Sequence, residues 1–123
     1  MSSPWNLTAT GSAAQATATK AAAPAPYQNR LRSIQATLSG TGNGAVKIVV
    51  RDGATGVGTI IWQLDLACAA NGLAPAVPPM MDLRATPGNA LTVESTGSGG
   101  ANTITDINAQ GDQVPVGYPA YLT

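Results

Sequence analysis

The sequence predicts an all-β protein: an antiparallel β-sandwich or jelly roll of about seven to eight strands, with an extended N-terminal arm. Several short runs alternate apolar and polar residues, and turn-forming Gly, Pro and Asn residues separate these runs. No segment repeats large apolar residues at helical spacing, so the crossover helices that a parallel sheet requires are not predicted. A chain of 123 residues is expected to form one domain. We therefore predict an arm over residues 1–12 and a single sandwich over residues 13–123.

The N-terminal region is rich in small residues and leaves two interpretations open. Residues 12–23 form a tract of Ala, Thr and Gln that is either a flexible arm or a first strand with its Thr side chains in water. The recurring Thr disfavours a helix, and we favour the strand. Pro24 and Pro26 then restrict the following segment to extended or polyproline geometry.

Three alternating runs follow between residues 31 and 66, and each predicts a half-buried strand. Asn43-Gly44 favours the positive φ angles of a tight hairpin turn between the first two runs, and a second Gly-rich turn starts at Asp52. Val49 and Arg51 are expected on the outer side of the middle strand. The residues predicted to point inward are Ile34, Ala36 and Leu38, then Val46, Ile48 and Val50, then Ile60, Trp62, Leu64 and Leu66.

Shorter runs make up the rest of the chain. Pro87-Gly88-Asn89 predicts a turn between two of them. Ile104 and Ile107 are three residues apart, which breaks the two-residue period and predicts either a bulge near Asp106 or the end of a strand. The Pro-containing tail, Gln113–Thr123, is expected to be an edge strand. The inward residues predicted in this half are Met81, Leu83, Ala85, Leu91 and Val93.

Charged residues are few and balanced. The chain has six Lys or Arg, six Asp or Glu and no His, for a formal net charge of zero. A nucleic-acid-binding protein needs excess positive charge to displace counterions, and a membrane-surface helix needs Lys and Arg on its polar face. We therefore expect no nucleic-acid partner and no membrane partner. Neither a long apolar span nor a secretory leader is visible, so we expect a protein that is not secreted.

No catalytic, cofactor or metal site is predicted. With one Cys and no His, the chain cannot assemble a zinc site or a Cys–His nucleophile, and Cys68 is expected to be a small buried thiol. The six carboxylates are scattered over different elements, so we expect no acid–base pair and no enzyme. Asp106, Asn108 and Asp112 resemble oxygen ligands of calcium, but their spacing departs from a calcium-binding loop. We favour turn caps for these three residues.

The lack of charge also predicts association. A soluble monomer usually keeps charged residues on its surface and a net charge away from zero. A neutral exterior of Ala, Thr, Ser, Gly and Gln is poorly protected against pairing with other chains. We favour a permanent assembly, with a homo-oligomer among its contacts, over the alternative of a polar, uncharged and non-adhesive coat.

A further pattern covers nearly the whole chain. It consists of an Ala/Thr-rich first strand, the segments 30–36 and 46–51, Ile61-Trp62-Gln63-Leu64, and the segment 87–94 before a Gly-rich loop. This order resembles small virion proteins of tailed phages, whose jelly-roll domains are head decoration, or cement, proteins and often trimers. The resemblance implies a non-enzymatic trimer on the capsid surface of the virion, made in the host cytoplasm. Its role would be to clamp neighbouring subunits of the phage major capsid protein.

Four residues are candidates for the capsid contact. Decoration proteins often use an extended terminal arm, and Trp5 and Leu7 would suit that role in residues 1–12. Arg30 and Arg32 are included in the same hypothesis, although local ion pairs are the favoured interpretation of both. Two other functions stay open: another virion β module, such as a tail or receptor-binding domain, and a small carbohydrate-binding β-sandwich. The second would need exposed aromatic residues, which are sparse.

Overall fold

The structure, a computed structural model, describes residues 3–40, 44–68, 73–76, 81–96 and 103–119. Regular secondary structure within these ranges consists of β-strands, so the predicted all-β class is confirmed. The predicted turn at Asn43, the Cys68 side chain and the end of the predicted tail strand fall outside the described residues. The strands are β1 (Ser3–Ser12), β2 (Thr17–Lys20), β3 (Tyr27–Gly40), β4 (Gly44–Asp52), β5 (Thr59–Cys68), β6 (Leu73–Ala76), β7 (Leu83–Arg84), β8 (Leu91–Ser95) and β9 (Thr103–Pro115).

The strands form two antiparallel sheets with a nested pairing. In the first sheet the order is β1-β9-β3-β6, and β7 pairs with β3 on the same side as β6. In the second sheet the order is β2-β8-β4-β5. The first strand thus pairs with the last, β2 with β8, β3 with β6 and β7, and β4 with β5. This nesting is the double Greek key of a jelly roll, in which β6 and β7 together take the place of one strand.

The apolar core lies between the two sheets. Alternate residues of β3 and β9 meet alternate residues of β4 and β8, and the half-buried Trp5, Leu7, Trp62 and Met81 pack against them from the sheet margins. Trp62, predicted as the largest core residue, is only half-buried because β5 is an edge strand. Most of the predicted inward residues are buried as expected: Ile34, Ala36, Leu38, Val46, Ile48, Val50, Leu66, Ala85, Leu91 and Val93.

A register shift in β3 extends the core toward the start of that strand. The pairing with β9 shifts between Leu31 and Ser33. Leu31 and Ile34 are therefore both buried, although an odd spacing would place them on opposite faces of a regular strand.

Two predictions for the second sheet are wrong. Val49 is fully buried. Its cross-strand neighbour Glu94 is also buried and accepts a hydrogen bond from Gly56 N–H of the loop after β4, so this part of the outer face is covered. Ile60 is 42% exposed, and Ile61 packs against the core instead. The cause is a register shift opposite Val50 and Arg51, which reverses the alternation at this point of β5.

The predictions for the last strand are also corrected. β9 runs from Thr103 to Pro115 and keeps a regular register with β1 and β3 around Asp106, so neither a bulge nor a strand end occurs there. Thr103 and Thr105 occupy the inward positions before Ile107, while Ile104 is 40% exposed. The strand is central in its sheet and not an edge strand, and its Pro115 lies at the very end, where a missing N–H is tolerated.

The segment predicted as an arm forms an edge strand. Residues 3–12 are extended, as expected, but they pair with β9 along their whole length, from Ser3 opposite Gln113 to Ser12 opposite Ile104. Every second residue of β1 faces the core, which explains the packing of Trp5 and Leu7. The structure thus includes β1 in the sandwich, in contrast to the predicted division at residue 12. The following tract contains β2, in line with the favoured interpretation of a strand.

Candidate interaction surface

The outer face of the first sheet carries three cross-strand rows of polar side chains. The rows run across β1, β9 and β3: Asn6–Gln110–Ser33, Thr8–Asn108–Gln35 and Thr10–Asp106–Thr37. We call these nine residues the polar face. Its one charged member, Asp106, accepts a hydrogen bond from Thr10 Oγ1 at 2.8 Å. The face arises because the outward positions of three adjacent strands are all Thr, Ser, Asn, Gln or Asp.

Two shallow depressions mark this surface. One, of about 300 Å³, lies over the Thr8 and Thr10 rows and reaches the backbone of Ile107. The other, of about 560 Å³, lies over the Asn6 row and extends to Trp5 and Arg32. Both are open to solvent, and their polar rims are hydroxyl, amide and guanidinium groups together with the Asp106 carboxylate. Such groups can donate or accept hydrogen bonds from a second macromolecule without an intervening ion.

Beside the polar face, Arg30 forms the centre of a buried ion cluster. Arg30 and Asp112 face each other on β3 and β9, with Nε–Oδ1 at 2.9 Å and Nη2–Oδ2 at 2.8 Å. Arg84, the β7 neighbour of Arg30, forms two hydrogen bonds with Asp82 and donates to the Tyr118 carbonyl at 2.6 Å. The Tyr118 ring lies 5.5 Å from the Arg30 guanidinium and covers it.

The electrostatics of this cluster stabilise the ionised form of Asp82. The hydrogen bond from Arg84 holds the pKa of Asp82 below 3.8, although burial raises that pKa. The positive charges of Arg84, Arg30 and Arg32 lower it further. Asp82 is therefore ionised at neutral pH, and the cluster ties β3, β7, β9 and the segment after β9 together.

A second buried charge lies under the loop after β4. Glu94 on β8 is 1% exposed and accepts hydrogen bonds from Arg51 Nε, from Gly56 N–H at 3.1 Å and from Gln15 Nε2 at 2.9 Å. Arg51 also donates to the Gly58 carbonyl at 2.9 Å. The loop is thereby fastened to the second sheet, and the outer face of that sheet is partly closed.

Most of the protein's charge is neutralised inside the chain. All twelve charged residues lie within the described ranges, and at least eight of them form ion pairs with one another. Asp52, outside these pairs, accepts hydrogen bonds from Thr86 N–H, Thr86 Oγ1 and Asn89 Nδ2. Burial raises the pKa of Asp52, but these bonds outweigh it and hold the pKa below 3.8.

The structure separates the four predicted contact residues. Trp5 and Leu7 are half-buried and face the core from β1, so they support the polar face from beneath. The side chain of Arg30 is 2% exposed and bound within the ion cluster, which removes it from any outer contact surface. This agrees with the local pairing favoured for it. Arg32 is half-buried and lines the larger depression together with Trp5.

The carboxylates do not converge on a common site. Asp106 and Asn108 point outward from β9, whereas Asp112 is bound to Arg30, so these residues are neither a calcium loop nor turn caps. Among the described residues, no group of three or more Cys, Asp or Glu side chains is placed to hold a metal ion. The same part of the chain contains no helix long and apolar enough to cross a membrane.

The polar face itself was not identified from the sequence. Its residues are the outward members of three alternating segments, and this alternation was visible for Ser33, Gln35 and Thr37. Ser33, Gln35 and Thr37 lie beside residues of β1 and β9 because of the register between strands that are far apart in the chain. The single sequence did not reveal that register.

Comparisons with known proteins give similarities of fold. No family model matches the chain, and no curated protein matches it. The chain is similar to a structure of the Cowpea mosaic virus top component, a naturally occurring empty particle, with 11% identity, a TM-score of 0.48 and coverage of 100% of this chain and 93% of that one. It is also similar to the virus-like particle of the extra small virus of the giant freshwater prawn Macrobrachium rosenbergii, with 12% identity, a TM-score of 0.33 and coverage of 89% of this chain and 79% of that one. A third similarity is to Bacillus endospore appendages, described as disulfide-linked pili, with 18% identity, a TM-score of 0.28 and coverage of 88% of this chain and 85% of that one.

Proposed function

We propose that the protein is a structural component of a virion that binds the outer surface of a phage capsid and stabilises contacts between neighbouring major capsid subunits. The observation that carries this proposal is the polar face. Nine side chains in three rows cross β1, β9 and β3, and the one carboxylate among them is hydrogen-bonded to Thr10. The face is part of a sheet held by a packed core, so it is preorganised for docking.

The chemistry of the polar face suits a lasting protein contact. Hydroxyl and amide groups both donate and accept, so they can exchange bonds with water for bonds to another protein. Burying them costs less than burying unpaired charges, provided that partners are found. Depletion of charge is also the compositional mark of interface cores. A capsid surface with complementary amide and hydroxyl groups fits these requirements.

The ion pairs support a structural role over a catalytic one. The buried Arg30–Asp112 and Arg51–Glu94 pairs connect strands to strands and a loop to a sheet. Their charged groups are engaged with each other and are not aimed into either depression. The described aromatic side chains are half-buried, which offers little of the stacking platform that a carbohydrate-binding module would use: Trp5, Tyr27, Trp62 and Tyr118.

The oligomer and the contact residues follow from the same proposal. A trimer on the capsid surface is the assembly that the family resemblance implies. Arg32 and the edge of Trp5 would take part in the contact at the larger depression, and Leu7 would support β1 from the core side. Arg30 would act only indirectly, by fixing β3 against β9.

Mass spectrometry of purified virions tests the location first. We expect the chain at a copy number comparable to that of the major capsid protein. A second experiment measures co-sedimentation with capsids that lack the protein. Asn108→Glu, at the centre of the polar face, should weaken binding at least about tenfold because it buries a charge.

The matched control is Gln63→Glu, an exposed position on β5 in the other sheet, which should bind as the unmodified protein does. Absence of the chain from virions, or equal binding of both variants, contradicts the proposal.

A further inference from the structure

The free edges of the two sheets differ in their protection against pairing with another chain. Within the described residues, β2 is four residues long and ends at Lys20, and β6 is equally short and contains Pro75. β5 carries Asp65 and the register shift at Ile61. Charge, proline, short length and bulges are the devices by which edge strands avoid pairing. β1 has ten uncharged residues and an unbroken register with β9, and its one proline, Pro4, lies near its start, so residues 5–12 form the least protected edge.

The hydrogen bonding of β1 shows which backbone groups face its free edge. Ala13 N–H donates to the Thr103 carbonyl at 2.8 Å, one step beyond the paired residues Ser12 and Ile104. Because antiparallel bonds alternate, the odd-numbered residues of β1 bond to β9 and the even-numbered ones point away from it. Pro4 is consistent with this, since its missing N–H then falls on the free edge.

We propose that β1 pairs with β1 of a second copy, antiparallel, about a two-fold axis at Leu7. In this register Leu7 lies opposite Leu7 of the second copy, Trp5 opposite Ala9, and Asn6 opposite Thr8. Asn6 and Thr8 then exchange backbone hydrogen bonds with Thr8 and Asn6 of the second copy, whereas Pro4, which has no N–H, only accepts a hydrogen bond from Thr10 of the second copy. The pairing continues the first sheet from one copy into the other, and the two polar faces become one surface.

Three features select this register among the alternatives. Odd residues must face odd residues, because otherwise the core side of one strand would meet the outer side of the other. An axis at Thr8 would set Trp5 against Gly11, where the space above the glycine is filled: a Cβ on Gly11 would lie 2.1 Å from the Ala14 carbonyl oxygen. An axis at Asn6 would set Trp5 against Leu7 and shorten the overlap. The axis at Leu7 places the large Trp5 beside the small Ala9.

The apolar side of β1 supplies the driving force. Trp5 and Leu7 are half-buried in a single chain, at the margin of the core. Pairing about Leu7 covers part of the exposed area of both residues, on the core side of the sheet, and removal of apolar area from water favours association. No charged residue lies in Ser3–Ser12, so the contact buries no ion. Since each chain has one β1, the contact closes after two copies.

This contact does not depend on the capsid role. It joins two monomers, or two trimers if other surfaces form a trimer, and it is measured with the purified protein alone. Failure of the contact therefore leaves the proposed function untouched, and loss of capsid binding leaves the contact untouched.

Sedimentation velocity and light scattering over a range of protein concentrations provide the first test. We expect particles with an even number of copies, starting at twice 12.3 kDa. Thr8→Pro removes an N–H from the free edge only, and Thr8→Lys places like charges near each other across the axis. Each should weaken the pairing at least about tenfold while leaving a cooperative thermal transition. Asn108→Lys makes the same charge change one strand away from the edge and should pair as the unmodified chain does.

Disulfide trapping provides an independent test of the register. In a Cys68→Ala background, Leu7→Cys should cross-link to a covalent dimer much faster than Thr8→Cys, although Thr8 is the more exposed position. The proposal is overturned if the protein forms particles with an odd number of copies and its Leu7→Cys variant does not cross-link. So does pairing that survives both Thr8 variants, or faster cross-linking through Thr8→Cys.

Discussion

Arg30 and Asp112 are joined by two parallel hydrogen bonds across β3 and β9, and the Arg30 side chain is 2% exposed. Both charged groups are buried away from water, and each compensates the charge of the other. A pair of this kind adds little stability compared with an apolar pair, but removal of one partner leaves the other buried and uncompensated.

We therefore predict that Arg30→Met destabilises the protein by about 3–5 kcal/mol. The substitution leaves Asp112 without its partner and removes positive charge beside Asp82. Chemical unfolding measures the change. The matched control is Lys47→Met, which breaks an ion pair whose side chains are 38% and 81% exposed and should cost at most about 1 kcal/mol. Similar losses for the two variants would contradict this account of Arg30.

Gly111 is predicted to be intolerant of a side chain. A Cβ there would lie 2.1 Å from the Arg30 carbonyl oxygen and 2.4 Å from Trp5 Cζ2, because the indole lies across β9 at this glycine. Gly111→Ala should cost about 3 kcal/mol, since backbone must move to admit the methyl group. Gly88→Ala is the control: it has open space and a φ of +89°, so only backbone strain of about 1–2 kcal/mol is expected. Equal melting temperatures of the Gly111→Ala and Gly88→Ala variants would contradict this prediction.

The loop after β4 is predicted to depend on Glu94. The carboxylate accepts from Gly56 N–H and from Arg51, so it fastens the loop to β8. In Glu94→Ala, hydrogen exchange at the Gly56 amide should accelerate more than at amides in the middle of β9. Lys47→Met, which does not touch the loop, serves as the control. Unchanged protection at Gly56 in Glu94→Ala would show that the loop is held by other contacts.

The stability of the protein is predicted to fall in acid. The pKa values of Asp52 and Asp82 are lower in the folded state than the ordinary value of 3.8. As the pH falls, the unfolded chain therefore binds protons before the folded chain does. Both groups contribute fully to the free energy of unfolding above pH 3.8, and this contribution is lost as the pH falls through their folded-state pKa values. Unfolding by urea at a series of pH values between about 5 and 2 measures this loss.

Thr86→Val is the control for Asp52, because it removes the hydroxyl donor and keeps the backbone N–H. The variant should have a shallower pH dependence than the unmodified protein. An identical slope would mean that the Thr86 hydroxyl does not hold the pKa down.

The alternation of apolar and polar residues was sufficient to predict the fold class and much of the core. Ile34, Leu38, Ile48 and Val50 point inward because they occupy every second position of strands with one side in the core. The pattern failed where a bulge reverses it, as at Ile61. In β8 the inward residues Leu91 and Val93 are buried as predicted, but Thr92 and Glu94 are buried as well, because the loop after β4 bonds to both on the outer side.

The candidate site was less accessible to prediction. Trp5 and Leu7 were proposed as capsid contacts of an arm, whereas their positions in the sheet depend on partners on β9 that are about a hundred positions away in the chain. The Arg30 cluster depends on the same long-range pairing. Residue type alone indicated that Arg30 would pair locally, whereas the identity of Asp112 as its partner required the strand order.

The central position of β9 has a consequence for biosynthesis. β1 and β3 are both hydrogen-bonded to β9, so neither can complete its sheet until residues 103–115 have left the ribosome. During translation the edges of the earlier strands of this sheet stay unpaired and their apolar sides stay exposed to solvent. Chains in this condition are prone to associate wrongly. A slow or interrupted ribosome would therefore endanger the yield of this protein more than that of one built from neighbouring hairpins.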